Sequence, residues 1–71
     1  MTPSVFRESR KLIGLSQTAL ADRLGLSLRQ VRNLETGDSP IKGVHELALR
    51  WIAMEEANLN LPYEYQDNLK F

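Results

Sequence analysis

Residues 15–31, with the sequence LSQTALADRLGLSLRQV, contain two short amphipathic patterns that meet across a single glycine, Gly25. The first pattern follows Ser16, whose hydroxyl suits a helix N-cap, and Gly25 favours the left-handed conformation that ends many helices. The second pattern follows Ser27, and Gln30 stands three residues later, which is the spacing of a capping box. The stretch therefore predicts two helices joined by a very short turn.

The second predicted helix has two faces of different character. Val31 and Leu34 share the face that packs against the first helix. The opposite face carries Leu28, Arg29, Arg32, Asn33 and Thr36. Because the turn is short, the two helices cross steeply and the second one protrudes. Arginine and asparagine pair with guanine and adenine, so this helix has the donors to read the major groove of DNA.

An N-terminal helix precedes this pair in the sequence. Thr2 suits an N-cap, Pro3 suits the first helical position, and Gly14 is a stop signal. We expect the inner stripe of this helix to consist of Val5, Ser9, Leu12 and Ile13.

A fourth helical pattern follows the loop of residues 38–43, DSPIKG. Its apolar residues recur at amphipathic spacing and are Val44, Leu47, Ala48, Trp51 and Ile52. This pattern predicts a helix that ends near Asn58, with Trp51 in the core or in a dimer interface. Almost nothing in the chain is strand-like, so we predict an all-α fold, a compact bundle of four to five short helices with a central helix-turn-helix.

The composition limits the kinds of site that the chain can hold. It has 71 residues and no cysteine, which indicates one small domain without disulfides, thiolate zinc sites or a cysteine nucleophile. His45 is the single histidine and a Gly-rich phosphate loop is missing, so we predict no enzyme, no metal and no cofactor. No apolar run is long enough to span a membrane or to form a signal peptide, so we expect a cytoplasmic protein.

The charges are distributed unevenly although the net charge is zero. Residues 1–42 hold seven basic and four acidic residues, whereas residues 43–71 hold two basic and five acidic ones. Such an asymmetry is compatible with one surface that faces an anion and another that faces away from it.

Residues 14–40, GLSQTALADRLGLSLRQVRNLETGDSP, resemble the helix-turn-helix of the lambda-repressor and Cro family, also called the XRE type. The positions that carry the resemblance are Gln17, Ala21, Gly25, Glu35 and Gly37, with Leu20, Leu26, Val31 and Leu34 at core positions. The resemblance implies a lambda-repressor-like DNA-binding domain over residues 1–58. It leaves an apolar tail, residues 59–71, for which packing onto its own domain and dimerisation are both open.

The resemblance also implies roles for single residues. Gln17 and the N-terminus of its helix would contact a phosphate, while Thr36 and Lys42 would contact the flanking DNA backbone. The residues that would face bases are Leu28, Arg29, Arg32 and Asn33. Close relatives often carry a polar residue at the position of Leu28, which would either touch a thymine methyl group or only cover the rim of the interface. Arg10 and Glu35 would form a structural ion pair.

These roles imply a sequence-specific transcriptional regulator that binds double-stranded DNA, most simply a homodimeric repressor on a near-palindromic operator. A phage repressor, a restriction–modification controller and an autoregulating antitoxin all fit this pattern. The antitoxin is the main alternative, because its principal activity would be to bind a toxin, through the acidic segment from His45 onward.

Overall fold

The computed structural model describes residues 1–61, which form four helices and no β-strand. The helices are α1 (Pro3–Ile13), α2 (Gln17–Leu24), α3 (Leu28–Thr36) and α4 (Gly43–Ala57). The predicted all-α bundle is therefore confirmed. Residues 62–71, which make up most of the predicted tail, lie outside the described residues.

The first three helices begin at the predicted caps. The side chains of Thr2, Ser16 and Ser27 each accept a hydrogen bond from the backbone N–H three residues later, at 3.2, 3.0 and 3.1 Å. The N–H of Ser27 in turn donates to the side-chain oxygen of Gln30 at 2.8 Å, which completes the capping box. Gly25 ends α2 with a φ of 71°, a left-handed conformation that would strain other residues. Local chemistry therefore sets the short α2–α3 turn.

Each helix supplies one large, fully buried side chain to the centre of the bundle. These side chains are Phe6, Leu20, Val31 and Leu49. α1 and α2 each pack against both α3 and α4, whereas α3 and α4 have no extensive contact with each other. Within the described residues, α3 and α4 are therefore held together mainly through α1 and α2.

The predicted inner stripe of α1 is partly wrong. Leu12 is 69% exposed, and Phe6, which the prediction omitted, is completely buried. Phe6, Ser9 and Ile13 follow the i, i+3, i+7 spacing of a single helical stripe. Leu12 lies six residues after Phe6, about 240° around the helix at 100° per residue, and so it points away from the core.

The predicted inner face of α4 is also partly wrong, although Ile52 is buried and Ala48 is half-buried. Val44, Leu47 and Trp51 are 67, 65 and 65% exposed, which excludes Trp51 from the core. The buried residues of α4 are Leu49, Arg50, Ile52 and Ala53. α4 carries apolar residues on two faces, so its period alone does not tell which face packs against α1 and α2.

The first residues after α4 pack onto the same domain. Asn58 ends the helix in a left-handed conformation with a φ of 52°, and the N–H of Leu59 donates to the carbonyl of Ala53 at 3.1 Å. Leu61 is 6% exposed and belongs to the hydrophobic core. A guanidinium N–H of Arg50 donates to the carbonyl of Leu61 at 2.6 Å. Residues 59–61 are thus part of the helical domain.

Candidate nucleic-acid interface

The outer face of α3 is the candidate interface. Val31, Leu34 and Glu35 are buried on the inner side of this helix. The five residues predicted to face DNA from α3 spread over about 140° of the opposite side at 100° per residue. They are Leu28, Arg29, Arg32, Asn33 and Thr36. The helix therefore has one face for the core and one for a partner.

Three basic side chains on this side of the molecule are available to an anion. Arg29 and Arg32 on α3, and Lys42 at the start of α4, are all exposed. Within residues 1–61, none of the three has a carboxylate within ion-pair distance. A guanidinium group that is not neutralised by its own protein is suited to bind phosphate or the acceptor edge of guanine.

Leu28 and Asn33 lie at the edges of the same face and are half-buried. The backbone carbonyl of Asn33 accepts hydrogen bonds from the N–H groups of Gly37 and Ser39, both at 3.1 Å. In the described part of the chain, the side-chain amide of Asn33 has no hydrogen-bond partner. This amide can therefore bind a base edge without breaking an internal bond.

Thr36 differs from the other predicted contacts because its hydroxyl is already engaged. The hydroxyl donates to a carboxylate oxygen of Asp38 at 3.1 Å. A contact between Thr36 and a phosphate would require this hydroxyl to exchange its acceptor. The nearby negative charge of Asp38 also opposes a phosphate at this point.

A buried polar network anchors the C-terminal end of α3. The guanidinium of Arg10 on α1 donates two hydrogen bonds to the carboxylate of Glu35, with N–O distances of 2.6 and 3.2 Å. The side chains of Glu35 and Arg10 are 2% and 11% exposed. Arg10 also donates to the carbonyl of Leu15 at 2.9 Å, so one guanidinium ties α1 to both α3 and the α1–α2 loop.

Gln17 joins this network from α2. Its side-chain N–H₂ donates to Glu35 at 3.0 Å, an arrangement that the motif did not predict. Glu35 therefore receives donors from both α1 and α2. One of the two amide hydrogens of Gln17 is used in this bond, and the other has no partner within the described residues.

The acidic residues of α4 are neutralised within the protein. Glu55 and Glu56 pair with the guanidinium of Arg23 on α2 at 2.6 and 3.0 Å. Glu46 pairs with Arg50 at 3.0 Å and with the N-terminal ammonium group at 3.1 Å. Burial raises the pKa of the Glu46 carboxyl, but the hydrogen bonds from Arg50 and the N-terminus outweigh burial, so this pKa lies below its ordinary value.

Comparison with known proteins agrees with this geometry. The helix-turn-helix family model matches residues 6–43, which is more than half of the chain and covers most of α1, all of α2 and α3, and the first residue of α4. No curated protein and no solved structure matches the chain. Separately, no helix within residues 1–61 has the length and apolar character to cross a membrane. The chain belongs to the XRE-type, lambda-repressor/Cro-like helix-turn-helix family of DNA-binding transcription regulators, which is not a family of enzymes.

Proposed function

We propose that the protein is a sequence-specific repressor that binds a near-palindromic operator as a homodimer, with α3 of each copy in the major groove. The observation that carries this proposal is the outer face of α3. Within residues 1–61 it bears two exposed arginines without a carboxylate partner and a side-chain amide without a hydrogen-bond partner, on a helix whose opposite side is buried in the core.

The base contacts follow from the chemistry of that face. Arg29 and Arg32 would each donate two hydrogen bonds to the O6 and N7 acceptors of guanine, and Asn33 would pair with adenine. Leu28 would pack against a thymine methyl group or cover the rim of the interface. Each bidentate pair is worth about 1–3 kcal/mol of discrimination against the wrong base.

The phosphate contacts would hold the helix in register. The free backbone N–H groups at the start of α2 and the second amide hydrogen of Gln17 would bind one phosphate. Lys42 would bind another on the far side of α3. Thr36 has less support as a phosphate ligand than the other residues, because its hydroxyl is bonded to Asp38.

A homodimer is proposed because a single recognition helix reads too few base pairs for useful specificity. Two copies related by a two-fold axis read a site of matching symmetry. Occupancy of such a site in a promoter excludes other proteins from the same DNA, which is the simplest route to repression. The protein would act wherever the cell keeps its DNA, in agreement with the cytoplasmic location expected from the sequence.

The test is selection of bound sites from random DNA, followed by Arg29→Ala and Arg32→Ala. We expect each variant to bind the selected operator more weakly and to lose selectivity at one or two base pairs of each half-site. Thermal stability should stay nearly unchanged, because both side chains are exposed and unpaired. Binding would be measured on a set of operators with single-base changes.

Lys11→Ala is the matched control, since it removes one exposed positive charge outside α3. We expect it to leave base selectivity unchanged. Two results would contradict the placement of α3 in the groove. In the first, the selection enriches no DNA sequence. In the second, base selectivity is the same in all three variants, Arg29→Ala, Arg32→Ala and Lys11→Ala.

The antitoxin alternative has less support from the described residues. It places the toxin on the acidic segment from His45 onward, of which Glu64 and Asp67 lie outside the described residues. However, Glu46, Glu55 and Glu56 are all paired with cationic groups of the same chain. A toxin would therefore have to break these pairs or bind elsewhere.

A further inference from the structure

Four large apolar side chains form a row on the exposed side of α4. Val44, Leu47, Trp51 and Met54 are 67, 65, 65 and 52% exposed. We call this row the α4 stripe. Single exposed apolar residues are common on protein surfaces, but a contiguous row that includes a tryptophan marks a surface with a partner.

We propose that the α4 stripe is the surface through which a second copy of this chain binds, with α4 packed against α4 around a two-fold axis. This inference deepens the proposed function and rests on it for the biological role of the dimer. The physical argument for self-association, however, is independent of DNA.

The spacing of the stripe is that of a helix–helix seam. Its members are separated by three, four and three residues, which is the a/d spacing of two helices that pack side by side. The stripe extends for about 15 Å along α4 at 1.5 Å per residue. Half-buried Ala48 lies between Leu47 and Trp51 in the sequence and, being small, allows close approach at the middle of the seam.

The charges beside the stripe favour a second copy as the partner. A two-fold interface brings each surface against itself, so unpaired like charges near the seam would repel. The carboxylates of α4 within residues 43–57 are instead paired with Arg23, Arg50 or the N-terminus of the same chain. A basic partner would find no unpaired carboxylate there, whereas an identical apolar stripe meets no electrostatic penalty.

The position of the stripe agrees with DNA binding by both copies. In the described residues α4 packs mainly on α1 and α2, and no member of the stripe belongs to the candidate DNA interface. Two copies joined through α4 therefore keep both α3 faces open. The four side chains supply less than the ~800 Å² per partner of a standard stable interface, so we expect a reversible, concentration-dependent dimer.

The experiment is sedimentation equilibrium of the full chain without DNA, over a range of concentrations. Leu47→Glu tests the stripe, and Leu12→Glu is the matched control because it introduces the same change at an equally exposed leucine of α1. We expect the unchanged chain and Leu12→Glu to dimerise with similar strength, and Leu47→Glu to remain monomeric with an unchanged melting temperature. The emission of Trp51, the only tryptophan, should shift to shorter wavelength as the unchanged chain dimerises.

Two results would overturn the inference. The first is a chain that is monomeric at every concentration. This result includes the case in which the emission of Trp51 shows a shielded side chain at every concentration, because residues of the same chain then cover the stripe. The second is equal dimerisation by the Leu47→Glu and Leu12→Glu variants.

DNA binding separates this inference from the proposed function. Leu47→Glu should bind a single half-site as well as the unchanged chain does and lose affinity for the full operator. If Leu47→Glu abolishes the dimer but the unchanged chain selects no DNA sequence, the helix–helix seam is supported and the proposed function is contradicted.

Discussion

α3 and α4 each contain a glutamate that pairs with an arginine, but the two helices present opposite outer surfaces. Buried Glu35 of α3 pairs with Arg10 of α1, whereas half-buried Glu46 of α4 pairs with Arg50 of the same helix and with the N-terminus of the chain. Outside, α3 presents unpaired cations, whereas α4 presents the apolar α4 stripe with its charges neutralised. The two helices therefore differ in the surface that they present, which is cationic on α3 and apolar on α4, and we propose different partners for them.

The largest effect is expected when the anchor of α3 is broken. Arg10→Ala would leave Glu35 as a buried carboxylate with only Gln17 as a side-chain donor. We expect a loss of about 3 kcal/mol in the free energy of unfolding, because removing one partner of a buried ion pair strands the other charge. The measurement is urea unfolding, with operator selectivity determined at a temperature where the variant is folded.

The control is the double variant Arg10→Met with Glu35→Leu, which leaves no buried charge and should recover much of the lost stability. Base selectivity should stay unchanged in both variants. A changed base preference with full stability in Arg10→Ala would mean that Arg10 contacts DNA and does not serve as an anchor.

A smaller effect is expected when the end of α4 loses its cover. A chain that stops at Asn58 lacks Leu61, whose burial is worth about 2 kcal/mol. It also lacks the carbonyl of Leu61, to which Arg50 donates a hydrogen bond. A chain that stops at Leu61 keeps both. We therefore expect the shorter chain to unfold at a lower urea concentration than the chain that ends at Leu61.

The same pair of truncations sharpens the comparison of α3 with α4. A folded chain ending at Leu61 that no longer dimerises would assign the dimer contact to residues 62–71 instead of the α4 stripe. Equal stability of the two truncated chains would contradict the place of Leu61 in the core.

The smallest effect concerns pH and the anchor of α4. The pKa of Glu46 lies below its ordinary value of 4.5, so its ionised form stabilises the fold above that value. This contribution is lost as the pH falls through the lowered pKa of the folded state. Glu46→Gln should therefore be less stable than the unchanged chain near neutral pH, and its melting temperature should fall less between pH about 7 and about 3. If the melting temperatures of the two proteins fall equally with pH, Glu46 makes no pH-dependent contribution to the stability of the fold.

The limits of the first three helices and the inner side of α3 are well predicted from the sequence. Capping chemistry acts within three or four residues, so Ser27 with Gln30 and the stop at Gly25 are visible without any tertiary contact. The motif also pointed to the pairing of Arg10 with Glu35, which the structure contains. The hydrogen bond from Gln17 to Glu35 was not predicted, because it depends on how steeply α2 crosses α3.

The failures occur where a helix has apolar residues on more than one side. The local sequence around Leu12 and Trp51 allows either face to turn inward, and the choice depends on the other helices. In α1 the large side chain of Phe6 fills the centre of the bundle and turns Leu12 outward. In α4 the inward face is the one on which Arg50 reaches Glu46 and the carbonyl of Leu61.

Local patterns in the chain were sufficient to establish the helices, the short turn between α2 and α3, the family and the polar face that α3 presents. The helices, the turn and the polar face depend on hydrogen bonds and periodicities within a few residues, whereas the family rests on the resemblance of residues 14–40 to a known motif. The tertiary structure alone decided that Gln17 helps to anchor α3, that the charges of α4 are neutralised and that the α4 stripe is exposed. The physical reason is that burial and ion pairing depend on contacts between residues distant in the chain, which local spacing does not encode.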